Sequence, residues 1–209
     1  LMPEETGVGV GPERTGVVTT RVEHPAVKNL CEHLASRGTP VHFLPVDSLG
    51  RLDLDQVAES FKAEPAVASI MWANNETGTV FPVEELAQMA HEAGALFHTD
   101  AVQCVGKIGM DMSTSAIDML SLSGHKLHAP KGVGALYVRH GTRFSPFMIG
   151  GHQERGRRGG TENVASLVAL GKACELAARN IALENGRVAA LRDRLERGLL
   201  ERIPQAKVN

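Results

Sequence analysis

Short apolar runs recur along the chain at 17–20, 41–46, 66–72, 95–99, 117–122 and 133–138. Each is rich in Val, Ile, Leu, Ala or Phe and bounded by turn residues, so each reads as a strand. The stretches between the first four carry apolar positions at helical spacing. Pro25 suits the first turn of a helix, with Val27, Leu30, Cys31 and Leu34 on one face and Gly38 as its stop. Asp53 caps a helix bearing Leu54, Val57, Ala58 and Phe61. Pro82 opens a third, with Val83, Leu86, Ala87 and Ala90 on one face, closed by Gly94. This alternation predicts an α/β fold with a mainly parallel central sheet and flanking helices. A Gly/Arg-rich loop follows at 150–160. Thereafter the spacing predicts one helix from Thr161 to Ala177 and a second from Asn185 to Glu201. Residues 1–16 read as a surface loop or frayed end, and 204–209 as the start of another strand. The chain is expected to divide into a part ending at 163 and a helical part, 164–209.

Bulk properties narrow the function classes. The 209 residues carry a formal net charge of −2, which gives no reason to expect a nucleic-acid or membrane-surface partner. Cys31, Cys104 and Cys174 are odd in number and far apart, so they read as reduced thiols rather than a disulfide framework or zinc knuckle. No run approaches the ~18 apolar residues of a membrane span. The first residues lack a charged and apolar leader. A cytoplasmic location is expected. The chain begins with Leu, which suggests a fragment.

In an open parallel sheet, ligands bind beyond the carboxyl ends of the strands. Polar residues fall there four times. His24 follows the first strand, Asn74, Asn75 and Glu76 the third, Asp100 and Gln103 the fourth, and Ser123, His125 and Lys126 the fifth. Singly, each reads as a turn former or cap. Together they suit pyridoxal phosphate. Lys126 can form the Schiff base, helped by partial desolvation of its amine. Asp100 can pair with the ring nitrogen and keep it protonated. Asn75 or Gln103 can donate to the ring oxygen, and the His24 imidazole can cover the ring. Ser123, His125 and the loop at 155–161 offer groups for the phosphate. A metal is the competing reading, from His98 and Asp100 with His125 and His128. It leaves Lys126, Asn75 and His24 without a role. No strand runs into a G-x-G-x-x-G turn, which argues against a nicotinamide site.

Five segments in order carry a family resemblance: Arg-Val-Glu-His-Pro-Ala at 21–26, Ala-Asn-Asn-Glu-Thr-Gly at 73–78, Phe-His-Thr-Asp-Ala-Val-Gln at 97–103, Ser-Leu-Ser-Gly-His-Lys-Leu-His-Ala-Pro-Lys-Gly at 121–132, and the Gly/Arg-rich run through Asn163. The chain resembles the cysteine desulfurases of the nitrogen-fixation type, fold-type I pyridoxal-phosphate enzymes of the class V aminotransferase group. The resemblance implies that Lys126 is the Schiff-base lysine, Asp100 the pyridinium partner, and Gln103 and Asn75 the ring-oxygen contacts. His24 would be the ring-stacking group, and Ser123 and His125 the phosphate ligands. Thr161 would reach the phosphate of the other subunit, which implies a homodimer. The implied reaction takes sulfur from L-cysteine, leaves L-alanine and an enzyme persulfide, and passes the sulfur to an acceptor such as an iron–sulfur cluster scaffold. Lys126 or His24 would move the protons, a contribution worth ~10²–10⁴-fold.

Departures from the family pattern are equally informative. The family's upstream strand and phosphate loop are not in these residues. Neither are its persulfide-forming cysteine and its substrate-carboxylate arginine. The resemblance therefore implies the middle of a desulfurase: an incomplete cofactor-binding large domain whose C-terminal helices lead toward a small domain. By itself it is expected to have little activity. Cys104, beside the Asp-Ala-Val-Gln segment, reads as a buried thiol and not as the nucleophile. A selenocysteine lyase, a small-amino-acid aminotransferase of the same fold and a non-catalytic binding or dimerisation module remain alternatives.

Overall fold

A computed structural model of the chain describes residues 14–208. The expected frayed end thus lies almost wholly outside the described residues, as does Asn209. The β-branched run Val17–Thr20 forms β1, followed by α1 (Pro25–Ser36) and β2 (Val41–Leu44). Then come α2 (Leu54–Phe61), β3 (Val67–Ser69), α3 (Val83–Glu92) and β4 (Leu96–Asp100). β5 (Met119–Ser123) leads through a 3-10 turn, Gly124–Leu127, toward β6 (Gly134–Val138). One distorted turn, α4 (Gln153–Gly156), and the long α5 (Val164–Arg202) complete the described part.

The six strands form one sheet in the order β2-β1-β3-β4-β5-β6. All neighbours are parallel except β5 and β6, which are antiparallel. The mainly parallel sheet expected from the alternation is therefore observed. Side chains alternate between the two faces. Val18, Ala68, Phe97 and Leu120 point to one of them, where Val57 and Phe61 of α2 and Leu86, Ala87 and Ala90 of α3 complete a single core. Seven of these residues, Val18, Ala68, Phe97, Val57, Leu86, Ala87 and Ala90, have no exposed surface. α1 packs on β1 and β2, with Cys31 buried beside Thr19 on the opposite face.

Local chemistry explains the helix starts. The His24 side chain accepts from the Ala26 N–H at the head of α1, and Pro25 needs no partner for a missing N–H. Asp53 accepts from the Asp55 and Gln56 N–H groups. Asn163 accepts from Ser166 N–H at the head of α5. Gly38 and Gly94 follow the ends of α1 and α3 with positive φ, as helix stops do.

The structure departs from the sequence pattern at three places. The expected strand at 66–72 is regular only over Val67–Ser69, although the Ile70 and Trp72 N–H groups still donate to His98 O and Asp100 O of β4 at 3.1 and 2.9 Å before the chain turns into the loop at 73–80. Leu30, expected on the buried face of α1, is 56% exposed, since α1 covers only the β1–β2 side of the sheet. The two expected C-terminal helices are one helix of 39 residues. No proline interrupts it, and the residues at 178–185 are mostly good helix formers. A lone glycine at 186 costs only about 1 kcal/mol. Residues 204–208 hold no strand. Among the described residues no helix is long and apolar enough to cross a membrane.

Candidate active site

Because β1, β3, β4 and β5 are adjacent and parallel, their carboxyl ends line one edge of the sheet. The topology brings His24, the turn at 74–77, Asp100 with Gln103, and Ser123 with His125 and Lys126 to that edge. Thr161 follows no strand: it is exposed, three residues ahead of α5.

Asp100 is the last residue of β4 and is 9% exposed. One oxygen, Oδ1, accepts from the Val102 N–H at 2.9 Å. Among the described residues no cation lies within ion-pair distance of this carboxyl. Its other oxygen takes no hydrogen bond from the described residues and is not fully enclosed, so the carboxyl is open to a partner from the ligand side. It fits a cationic N–H group presented from the ligand side, which is what a protonated pyridine ring offers. Gln103 is half-buried on the same loop.

The turn after β5 builds the lysine's platform. The Ser123 hydroxyl and His125 Nδ1 are 2.8 Å apart. Gly124 touches β6: its N–H donates to Val133 O, and an added Cβ would stand 2.9 Å from that oxygen, so no larger residue fits. The turn closes at His128, which takes a left-handed conformation with φ 65°. Lys126 itself is exposed. The desolvation that the sequence reading asked for is therefore not supplied by these residues. Another cation faces it instead. Lys107, exposed at its tip, is held below the usual lysine range, first by partial desolvation and also by the charge of Lys126, against the opposing effect of Cys104. The loop carrying Lys107 packs on the turn at Gly106, where a Cβ would stand 2.7 Å from Leu127 and 3.0 Å from Ala177 of α5.

His24 is exposed, and its Nδ1 serves the α1 cap at 3.2 Å, which leaves Nε2 free. At the next strand end the structure separates two adjacent asparagines. Asn74 is buried: it donates to Val22 O at 3.0 Å and accepts from the Glu76 and Thr77 N–H groups, so it organises the turn. Asn75 is exposed and donates to Glu76 at 3.3 Å.

Three polar groups beneath this edge have no part in the expected cofactor set. His98 lies between Ser69 and Ser121, with Nδ1 and Nε2 at 2.8 and 2.9 Å from their hydroxyls. Burial lowers its pKa, against the opposing charge of Asp100. A neutral imidazole then accepts from one serine and donates to the other. Both ring nitrogens are thus engaged within the sheet. Among the described residues no group of three His, Cys, Asp or Glu could hold a metal. Burial also pushes the Cys104 thiol up to about 12, so it is not a ready nucleophile. Glu23, one residue before His24, is buried and raised to about 7, chiefly by burial. Only its place after a strand, ahead of a Pro-initiated helix, could have marked it in the sequence.

Comparison with known proteins agrees with this architecture. The Aminotransferase class-V family matches residues 8–208. A cysteine desulfurase of Gluconacetobacter diazotrophicus is 65% identical over 93% of this chain and 49% of its own length. The cysteine desulfurase NifS of Azotobacter vinelandii is 61% identical over 94% of the chain and 49% of its own length. Among solved structures, a NifS-like protein superposes with a TM-score of 0.87 at 37% identity, covering 91% of this chain and 53% of that one. DndA from Streptomyces lividans gives 0.82 at 40% identity, covering 89% and 54%. The chain spans about half the length of the curated relatives it matches. With a family match across nearly its whole length and a parallel sheet whose carboxyl edge gathers the matching motifs, the chain belongs to the class V aminotransferase family.

Proposed function

We propose that the chain supplies the cofactor-holding part of a pyridoxal-phosphate-dependent cysteine desulfurase, which takes sulfur from L-cysteine and leaves L-alanine. The observation that carries this reading is the buried Asp100 carboxylate, with one backbone donor and no cation among the described residues, two strands from His24 and one from Lys126. The relatives named cysteine desulfurase, at 61–65% identity, support the choice of substrate.

In this reading Lys126 holds the aldehyde end of the cofactor and Asp100 its ring nitrogen. Gln103 and Asn75 serve the ring oxygen, His24 the ring face, and Ser123 and His125 the phosphate. Bound there, the cofactor supplies an electron sink for charge developing at the amino-acid α-carbon. Lys126 and the free Nε2 of His24 hold and move protons at the substrate carbons. The exposed Thr161 contacts a second subunit's cofactor phosphate in a homodimer, and a cytoplasmic iron–sulfur scaffold receives the sulfur. The part up to residue 163 holds the cofactor and the helical part, 164–209, leads away from it.

The test is absorbance. Protein given pyridoxal phosphate is expected to show a visible band that borohydride removes, and the longer protein that contains this chain is expected to release alanine and sulfide from cysteine in equal amounts. Lys126→Ala is expected to lose the reducible band. A variant that keeps it unchanged overturns the assignment, and release of alanine with selenide only would point to a selenocysteine lyase.

A further inference from the structure

Glu23 is a buried acid that the cofactor-holding set does not use. It sits between the end of β1 and the head of α1 and is 5% exposed. Its Oε1 accepts from the Thr20 hydroxyl at 2.7 Å and from the Met71 N–H at 3.0 Å, and Oε2 stands 3.1 Å from the same N–H. One carboxyl thus ties the carboxyl end of β1 to the chain leaving β3, with His24 the next residue along. The titratable groups that face it are Asp100 from β4 and Cys31 from α1, and no cation is among its partners in the described residues.

Resting on the reading above, we propose that Glu23 is a positioning residue for the cofactor ring: it fixes His24 relative to Asp100, and it gives up a proton to solvent when a cationic ring docks against Asp100. The geometry supplies both halves. The clamp joins two of the strand ends that form the site. Both carboxyls are buried at adjoining strand ends, and the charge of Asp100 raises the Glu23 pKa, as one buried carboxylate does to another.

The direction follows from the charges. Burial first, and Asp100 in addition, hold Glu23 near neutrality at about 7, against the lowering by its hydrogen bonds. A ring cation paired with Asp100 cancels the repulsion and attracts a second carboxylate. Glu23 then becomes the stronger acid. Ring binding releases its proton, and affinity rises with pH through the window around 7.

The experiment is calorimetric titration of the cofactor-free protein with pyridoxamine phosphate, which has the ring nitrogen and phosphate but no aldehyde for Lys126. Titration in two buffers of different ionisation enthalpy counts the protons released. Protons from the ligand's own phosphate cancel between wild type and Glu23→Gln. Wild type is expected to release a further fraction of a proton at pH 7 that the Gln variant does not. The wild-type to Gln affinity ratio is expected to rise about fivefold from pH 6 to pH 8, the part of a one-unit pKa change that falls inside that window. A clamp without charge coupling would shift affinity equally at both pH values, and equal proton counts with a flat ratio overturn the proposal. Glu23→Asp keeps a carboxyl on a shorter arm. It is expected to keep the extra proton release with weaker binding, and its failure to do so also overturns the proposal. If wild type binds neither pyridoxal nor pyridoxamine phosphate, the cofactor assignment itself fails. If it binds both with no Glu23-dependent proton, only the role of Glu23 fails.

Discussion

Glu23→Gln is expected to flatten the pH dependence of folding stability. In the folded chain the Glu23 carboxyl is raised to about 7 from an ordinary 4.5, with burial the largest cause. The folded state therefore holds more protons than the unfolded state between those values, so stability falls as pH rises through that window. Below 4.5 the group is protonated in both states and costs nothing. Above 7 it is ionised in both, and the buried charge costs the fold about 3 kcal/mol at 1.36 kcal/mol per pKa unit. Glutamine keeps an acceptor oxygen for the Thr20 hydroxyl and the Met71 N–H but cannot ionise. Urea unfolding can be followed by the fluorescence of Trp72, the single tryptophan, which is buried. The stability of wild type relative to Glu23→Gln is expected to drop by about 3 kcal/mol from pH 4.5 to pH 8. Other titrating groups cancel in the difference. A difference that stays flat across that range would refute the burial argument for Glu23.

Other predictions concern the frame around the site. Asp118 is buried and accepts from the Phe97 N–H at 2.7 Å and pairs with His91 Nε2 at 2.8 Å. Asp118→Ala should cost about 2–3 kcal/mol in chemical denaturation, because it strands a buried N–H at the start of β4. Thr99→Val should be neutral or stabilising by up to about 1 kcal/mol in thermal unfolding, since the Thr99 hydroxyl is buried with no partner among the described residues. Gly106→Ala meets both a φ of +75° and Leu127. It should cost about 1–3 kcal/mol and speed amide exchange in α5 around Ala177, where the loop, the 3-10 turn and the helix meet.

What the sequence made legible follows from what each signal depends on. β1, α2 and α3 were readable because β-branched runs, an Asp cap and an apolar face are local properties. The sheet edge was readable because a parallel arrangement puts every strand's carboxyl end on one side. The join of the two C-terminal helices was not. The residues between them, 178–184, hold no proline or other strong breaker, so the helix continues through a gap in the regular spacing. Leu30 was misplaced because spacing names a face but not how much sheet lies under it. At 74 and 75, two identical side chains take opposite roles, and only the turn geometry decides which faces inward. Glu23 and His98 were invisible as titrating groups. Their properties come from burial and from Met71, Ser69 and Ser121, all distant in the chain.

The central claim is that Lys126 is the residue that holds the cofactor, and peptide mass analysis after borohydride reduction tests it most directly. Protein loaded with pyridoxal phosphate, reduced and digested is expected to carry the pyridoxyl phosphate mass on the peptide containing Lys126 and on no other. The same mass on the neighbouring Lys107, or no stoichiometric label on Lys126, would contradict the account.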